Sequence, residues 1–193
     1  APILVNNRRG LTLAVAASDG DGDETIQISA DFDSDGNATD FDASLTITAD
    51  TGTDVLTVAS ALNLGDGTTN GNLSLTADTI NLNDATIDID NGTNPGDATF
   101  TGAVVLGTDV TIAANDVTFA GTINTDALGT PRSLTVNTTG TGVTTFTEDI
   151  GLGANAAFDG NTGDDRPLAR IETNADGSTV IGDTVTPATI TLN

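Results

Sequence analysis

The most specific chemistry in the sequence lies in an acidic stretch at residues 31–42. Asp31, Asp33, Asp35 and Asp42 occupy positions 1, 3, 5 and 12 of a loop that has Gly36 at position 6. Calcium is a hard cation that takes about six to eight oxygen ligands, and this spacing wraps carboxylates and a carbonyl around one ion. Gly36 permits the sharp turn such a loop needs. Position 12 is Asp where a longer Glu closes such loops best, and the flanks alternate like strands. The reading is a calcium loop without its helices, set against an acidic solvent loop between Ile28 and Leu45. A second run, Asp19, Asp21 and Asp23 with Gly20 and Gly22 between them, has the same spacing but no closing ligand. It reads either as a second calcium loop or as a Gly-Asp hairpin turn joining strands at 11–17 and 25–30. If both loops bind calcium, the ion offsets carboxylate repulsion and stability depends on it.

Absent residue types restrict the chemistry further. The chain has no His, Cys, Lys, Met, Trp or Tyr. Without His, Cys or Lys, the common base near neutral pH and the common activated nucleophiles are missing. Paired carboxylates could still hydrolyse a glycoside. Sugar sites want aromatic platforms, however, and the six Phe sit inside strand-like runs. A polysaccharide-processing enzyme using Asp-bound calcium and Arg132 or Arg170 is the weakest of three functional readings, and the expectation is a protein that is not an enzyme. The 28 acidic residues against five Arg give a net charge of −23, which repels nucleic acid and anionic lipid. No run approaches the ~18 apolar residues of a membrane span, and no signal peptide is legible.

The elements that must position these groups are short strands. Apolar residues alternate with Thr in Leu11-Thr12-Leu13-Ala14-Val15, Thr25-Ile26-Gln27-Ile28, Ser44-Leu45-Thr46-Ile47-Thr48 and Val110-Thr111-Ile112. Similar runs are Val117-Thr118-Phe119, Ser133-Leu134-Thr135-Val136 and Thr189-Ile190-Thr191-Leu192. Period-two alternation puts one set of side chains in a core and the other in water. Thr suits the outer face because its branched Cβ fixes χ1. No window carries a helical stripe. The expected class is all-β. Turn signals such as Asp35-Gly36, Pro95-Gly96 and Asp176-Gly177 punctuate the chain every few residues, which suits either a coiling solenoid (a parallel β-helix) or a β-sandwich of the immunoglobulin or pilin kind.

Internal repetition favours the solenoid. Ser-Leu-Thr recurs at 44–46, 74–76 and 133–135. A smaller unit reads Asp84-Ala85-Thr86-Ile87, Asp97-Ala98-Thr99-Phe100, Asp109-Val110-Thr111-Ile112 and Asp116-Val117-Thr118-Phe119. Stacked coils that bury one apolar face against their neighbours give this quasi-repetition. The division expected is residues 1–43, strands with acidic loops, followed by a strand-repeat region at 44–193. The sandwich alternative applies mainly to residues 1–60. At the N-terminal end, Ile3, Leu4 and Val5 form an apolar strand beside Arg8 and Arg9. It reads as a capping strand, or as an assembly strand that joins a neighbour's open sheet while the arginines meet its acidic surface.

From about Thr99 onward the sequence resembles the strand-repeat regions of large bacterial surface proteins of the filamentous-haemagglutinin type. The phrases that carry the resemblance include Thr99-Phe100-Thr101-Gly102-Ala103-Val104-Val105-Leu106-Gly107, Thr144-Thr145-Phe146 and Pro167-Leu168-Ala169-Arg170-Ile171-Glu172-Thr173. The resemblance implies a right-handed parallel β-helix in a long secreted adhesin or matrix filament, and it carries no catalytic residues. The functional expectation is an extracellular or cell-surface structural protein that self-associates into a polymer or tandem array. The alternative is an adhesin for a cell-surface ligand. Nucleic acid and membrane insertion are not expected.

Overall fold

The computed structural model describes residues 11–15, 25–28, 32–33, 44–49, 53–64, 71–90, 94–127, 129–152, 166–174, 177–182 and 190. Among them are sixteen strands and no helix, and every strand pairing is parallel. The strands form three ladders. Ladder one stacks β1 (Leu11–Val15), β4 (Leu45–Ala49), the first half of β7 (Leu73–Leu82), the first half of β9 (Ala98–Leu106), β11 (Val117–Phe119), β14 (Val143–Phe146) and β16 (Ser178–Ile181). Ladder two stacks β2 (Thr25–Ile28), β5 (Val55–Val58), the second halves of β7 and β9, and β12 (Ile123–Thr125), and continues through bridges from Ile123 to Ile150 to Ile190. Ladder three stacks β3 (Phe32–Asp33), β6 (Leu62–Asn63), β8 (Thr86–Asp88), β10 (Val110–Ala114), β13 (Ser133–Thr138) and β15 (Arg170–Thr173). The chain visits ladders one, two and three in that order and then returns to the first, again and again.

The all-β expectation holds, and the strand runs that fall among the described residues lie close to where alternation puts them; of Thr189-Ile190-Thr191-Leu192 only Ile190 is described. Residues 19–24 lie outside the described residues, but the two strands expected to form a hairpin there do not pair with each other. β1 pairs with β4 and β2 with β5, so both strands pair with later parts of the chain. Immunoglobulin-type sandwiches are antiparallel. Parallel pairing of β1, β2, β4 and β5 removes that alternative from the part of the chain where it applied.

Alternation explains the core. In ladder one, Ile47, Leu75, Phe100, Phe119 and Phe146 stand in register and are at most 1% exposed. Leu56, Ile80, Val104 and Ile123 form a buried column in ladder two. Leu62, Ile87, Ile112 and Val136 do so in ladder three. All of these belong to one hydrophobic cluster. Each fully buried side chain of this size contributes about 1.5–3 kcal/mol. That is why strands of four or five residues suffice in the middle of the stack: in β4, β5 and β10 every second residue is buried.

The corners need particular backbones. β7 and β9 turn from ladder one into ladder two without a break. At the bend, Ala77 and Asp78 oppose the single residue Gly102, because the register steps from Thr76↔Thr101 to Thr79↔Ala103. Two residues against one is a β-bulge, which bends the strand. Gly102 has φ of 123°, and a Cβ there would lie 1.7 Å from the Ala77 carbonyl oxygen. Only glycine fits.

The register also corrects the Ser-Leu-Thr repeat. Leu45 aligns with Leu73 and Thr46 with Ser74, so the repeated triplets are two residues out of step. Ser133 lies in another ladder altogether. The Asp-x-Thr-apolar unit aligns correctly. Thr99 pairs with Thr118 in ladder one, and Thr86 with Thr111 in ladder three. Side-chain bonds between equivalent places in successive cycles span 28, 25, 19 and 27 residues. Loops vary in length while the strands keep register, which is why no fixed period is visible in the text.

Candidate functional site: an outward hydroxyl face and its aspartate border

The outward side of ladder one carries two columns of hydroxyls. Thr46, Ser74, Thr99, Thr118 and Thr145 stand in register, and Thr48, Thr76 and Thr101 form a second column two residues along. Thr12 of β1 extends the first column by register. The side chains of Thr46, Ser74, Thr99, Thr118, Thr145, Thr48, Thr76 and Thr101 are half-buried or exposed, flanked by their neighbours above and below. None of their hydroxyls is hydrogen-bonded to another described residue, and none of these positions is charged. In a chain of net charge −23 this strip is neutral.

One border of the strip is a ladder of side-chain acceptors. Ser44 Oγ accepts the Asn72 N–H at 3.0 Å, Asn72 Oδ1 that of Asp97 at 2.9 Å, Asp97 Oδ1 that of Asp116 at 3.2 Å, and Asp116 Oδ1 that of Val143 at 2.7 Å. Asp97 Oδ1 also accepts from Asn115 Nδ2 at 2.8 Å. In return, the carbonyls of Asn72, Asp97 and Asp116 accept the N–H groups of Leu45, Leu73 and Ala98. Each cycle is therefore tied to the next by backbone and side chain at the same corner. The cause is local: the chain leaves strand geometry here, and an unpaired backbone N–H must find an acceptor. Asp109 plays the same part in ladder three, accepting the Ser133 N–H at 2.8 Å.

This assigns a structural role to three of the four aspartates of the repeated unit, Asp97, Asp109 and Asp116, a role that their sequence context did not reveal; Asp84 accepts instead from the N–H of Thr86 in its own unit. The recurring Asp two places before Thr was visible, but which backbone amide it meets depends on loop lengths. Asn72, which stands in the same column, lies outside the unit and gave no signal.

Of the aspartates read as calcium ligands, only Asp33 is among the described residues. Its backbone pairs with Asn63 in ladder three. Asp31, Asp35, Asp42, Asp19, Asp21 and Asp23 lie outside them, as do Ile3, Leu4, Val5, Arg8 and Arg9. No group of three or more acidic side chains able to hold a metal occurs among the described residues. Arg132 pairs with Asp126 at 3.2 Å, and Arg170 with Glu172. Both pairs are partly open to water, where such contacts contribute little. Arg166 donates from Nη1 to the Asp126 carbonyl at 3.0 Å.

No helix among the described residues is long and apolar enough to cross a membrane. No protein-family model, curated protein or solved structure matches the chain.

Proposed function

We propose that the chain is a right-handed parallel β-helix serving as an extracellular structural segment of a bacterial surface filament, stalk or matrix. The observation that carries this reading is the fixed order in which the chain visits three parallel ladders, cycle after cycle, with one continuous apolar interior. Strand-to-parallel-strand connections are right-handed in about 98% of cases, which favours that hand here. The resemblance to filamentous-haemagglutinin-type strand repeats points the same way.

A stack of this kind has rigidity built in, because every cycle is bonded to its neighbours by a backbone ladder and by the Asn72–Asp97–Asp116 column. Seven strands span six steps of ~4.8 Å, so ladder one is about 29 Å from end to end and a long fibre requires many copies or a longer chain. Copies join end to end in this proposal, with Ile3, Leu4 and Val5 adding to a neighbour's edge and Arg8 and Arg9 meeting its acidic surface. Calcium held by Asp31, Asp33, Asp35 and Asp42, and secondarily by Asp19, Asp21 and Asp23, stiffens the first cycle.

Electron microscopy of the purified chain tests this reading. Ordered polymers that vanish when residues 1–9 are deleted support end-to-end joining. Discrete monomers under all conditions, with or without calcium, favour an adhesin in which the stack merely presents a binding surface.

A further inference from the structure

The hydroxyl face of ladder one has properties that a structural scaffold does not require. Outward positions elsewhere mix residue types: Thr57, Asn81, Val105 and Asn124 stand in one column of ladder two, and Thr86, Thr111, Thr135 and Glu172 in one of ladder three. On ladder one, five successive strands present Thr or Ser at the same register, and three of them present a second Thr two residues on. The acidic side chains stay at the margins, where Asp97 and Asp116 are engaged with backbone amides and Asp78 and Glu148 are exposed.

The result is a two-dimensional array. Its repeats are ~4.8 Å from strand to strand and ~6.7 Å between alternate residues along a strand. Both approximate oxygen repeats on a face of hexagonal ice. Thr is stiff at χ1, so its hydroxyl and methyl hold their places. The stacked Phe100, Phe119 and Phe146 rings lie directly beneath and fix the sheet from inside. Hydroxyls at lattice spacing that bond to no other described residue order the water above them, and the order already present in the sheet lowers the cost of doing so. A carboxylate, with its own hydration shell, would break that layer.

We propose that the outward face of ladder one binds the surface of an ice crystal, with Thr46, Thr48, Thr76, Thr99, Thr101 and Thr118 as its centre. A second copy of the chain is a poorer occupant. The strip covers on the order of 400 Å² by strand spacing, about half of the ~800 Å² each partner buries in a stable complex. The proposal stands whether or not copies join end to end.

The test is ice shaping and inhibition of ice recrystallisation by the whole chain. The unaltered protein facets growing crystals. Thr99→Lys with Thr118→Lys at the centre of the array weakens inhibition roughly tenfold or more. Thr111→Lys with Thr135→Lys, the same change on ladder three, leaves it intact. Thr99→Val with Thr118→Val keeps the shape, removes two hydroxyls and also weakens inhibition, with an unchanged far-ultraviolet spectrum showing that the fold persists. Round, unshaped crystals with concentrated unaltered protein would overturn the proposal, and so would equal loss in the ladder-three variant. A dimer that the ladder-one lysines split, with no effect on ice in either form, would instead assign the face to pairing of copies.

Discussion

The ring of Phe119 lies nearly parallel to that of Phe100, with centroids 5.0 Å apart and planes 10° from each other, and Phe146 continues the stack at 5.3 Å. Three phenylalanines from three successive cycles thus form one column inside the fold. Offset stacking of this kind adds about 0.5–1.5 kcal/mol per pair beyond area burial. Phe119 touches both neighbours, so Phe119→Ala removes two stacking contacts and opens a cavity in a core with no exposure at that site. The expected loss is about 3–5 kcal/mol by urea unfolding. Phe119→Leu fills most of the space and costs distinctly less.

Thr144 breaks the apolar column formed by Leu45, Leu73, Ala98 and Val117. It is fully buried, and its hydroxyl has no hydrogen-bond partner among the described residues. Burying such a group unpaired costs about 1–3 kcal/mol. Thr144→Val keeps the shape and removes that cost, so its midpoint in urea is expected to rise. A fall would show that the hydroxyl is satisfied in solution.

The acceptor column gives a contrast between two substitutions at one site. Asp97→Ala strands the Asp116 N–H and the Asn115 amide and is expected to cost about 1–3 kcal/mol. Asp97→Asn retains an oxygen in the same place and costs less. Equal losses, read from thermal melts, would mean that charge rather than the acceptor matters.

Glycine at the bulge gives another contrast. Gly102→Ala drives a methyl against the Ala77 carbonyl at a positive φ. Gly129 also has positive φ, 73°, but nothing lies within 4 Å of a Cβ there. Gly129→Ala therefore costs only the backbone penalty of about 1–2 kcal/mol, whereas Gly102→Ala is expected to unfold at a much lower urea concentration.

How far the sequence revealed this depends on which feature is asked about. Alternation in Val117-Thr118-Phe119 and Val110-Thr111-Ile112 displayed strands and their buried faces, because a two-residue period survives in any single strand. The Asp-x-Thr units marked true register, because the same corner recurs with the same need for an acceptor. Ser44-Leu45-Thr46 misled because Thr and Leu are common enough to repeat out of step. The assignment of strands to three ladders was not legible: loops of unequal length hide it, and β7 and β9 each serve two ladders through bends that only Gly102 and its bulge betray. The hydroxyl array was half visible. Outward Thr could be read from each strand, but its alignment across five strands exists only in the register.

The stacking of cycles is tested most directly by distances along one column. The chain has no cysteine, so the two introduced thiols are the only ones to carry spin labels. Labels paired with one at Thr145 and placed at Ser74, Thr46 or Thr12 lie three, four or five ladder steps away. Stacked parallel cycles predict backbone separations of about 14, 19 and 24 Å, rising by one strand spacing per cycle. Distances that fail to grow in equal steps from Ser74 to Thr12 would contradict the parallel register on which the whole description rests.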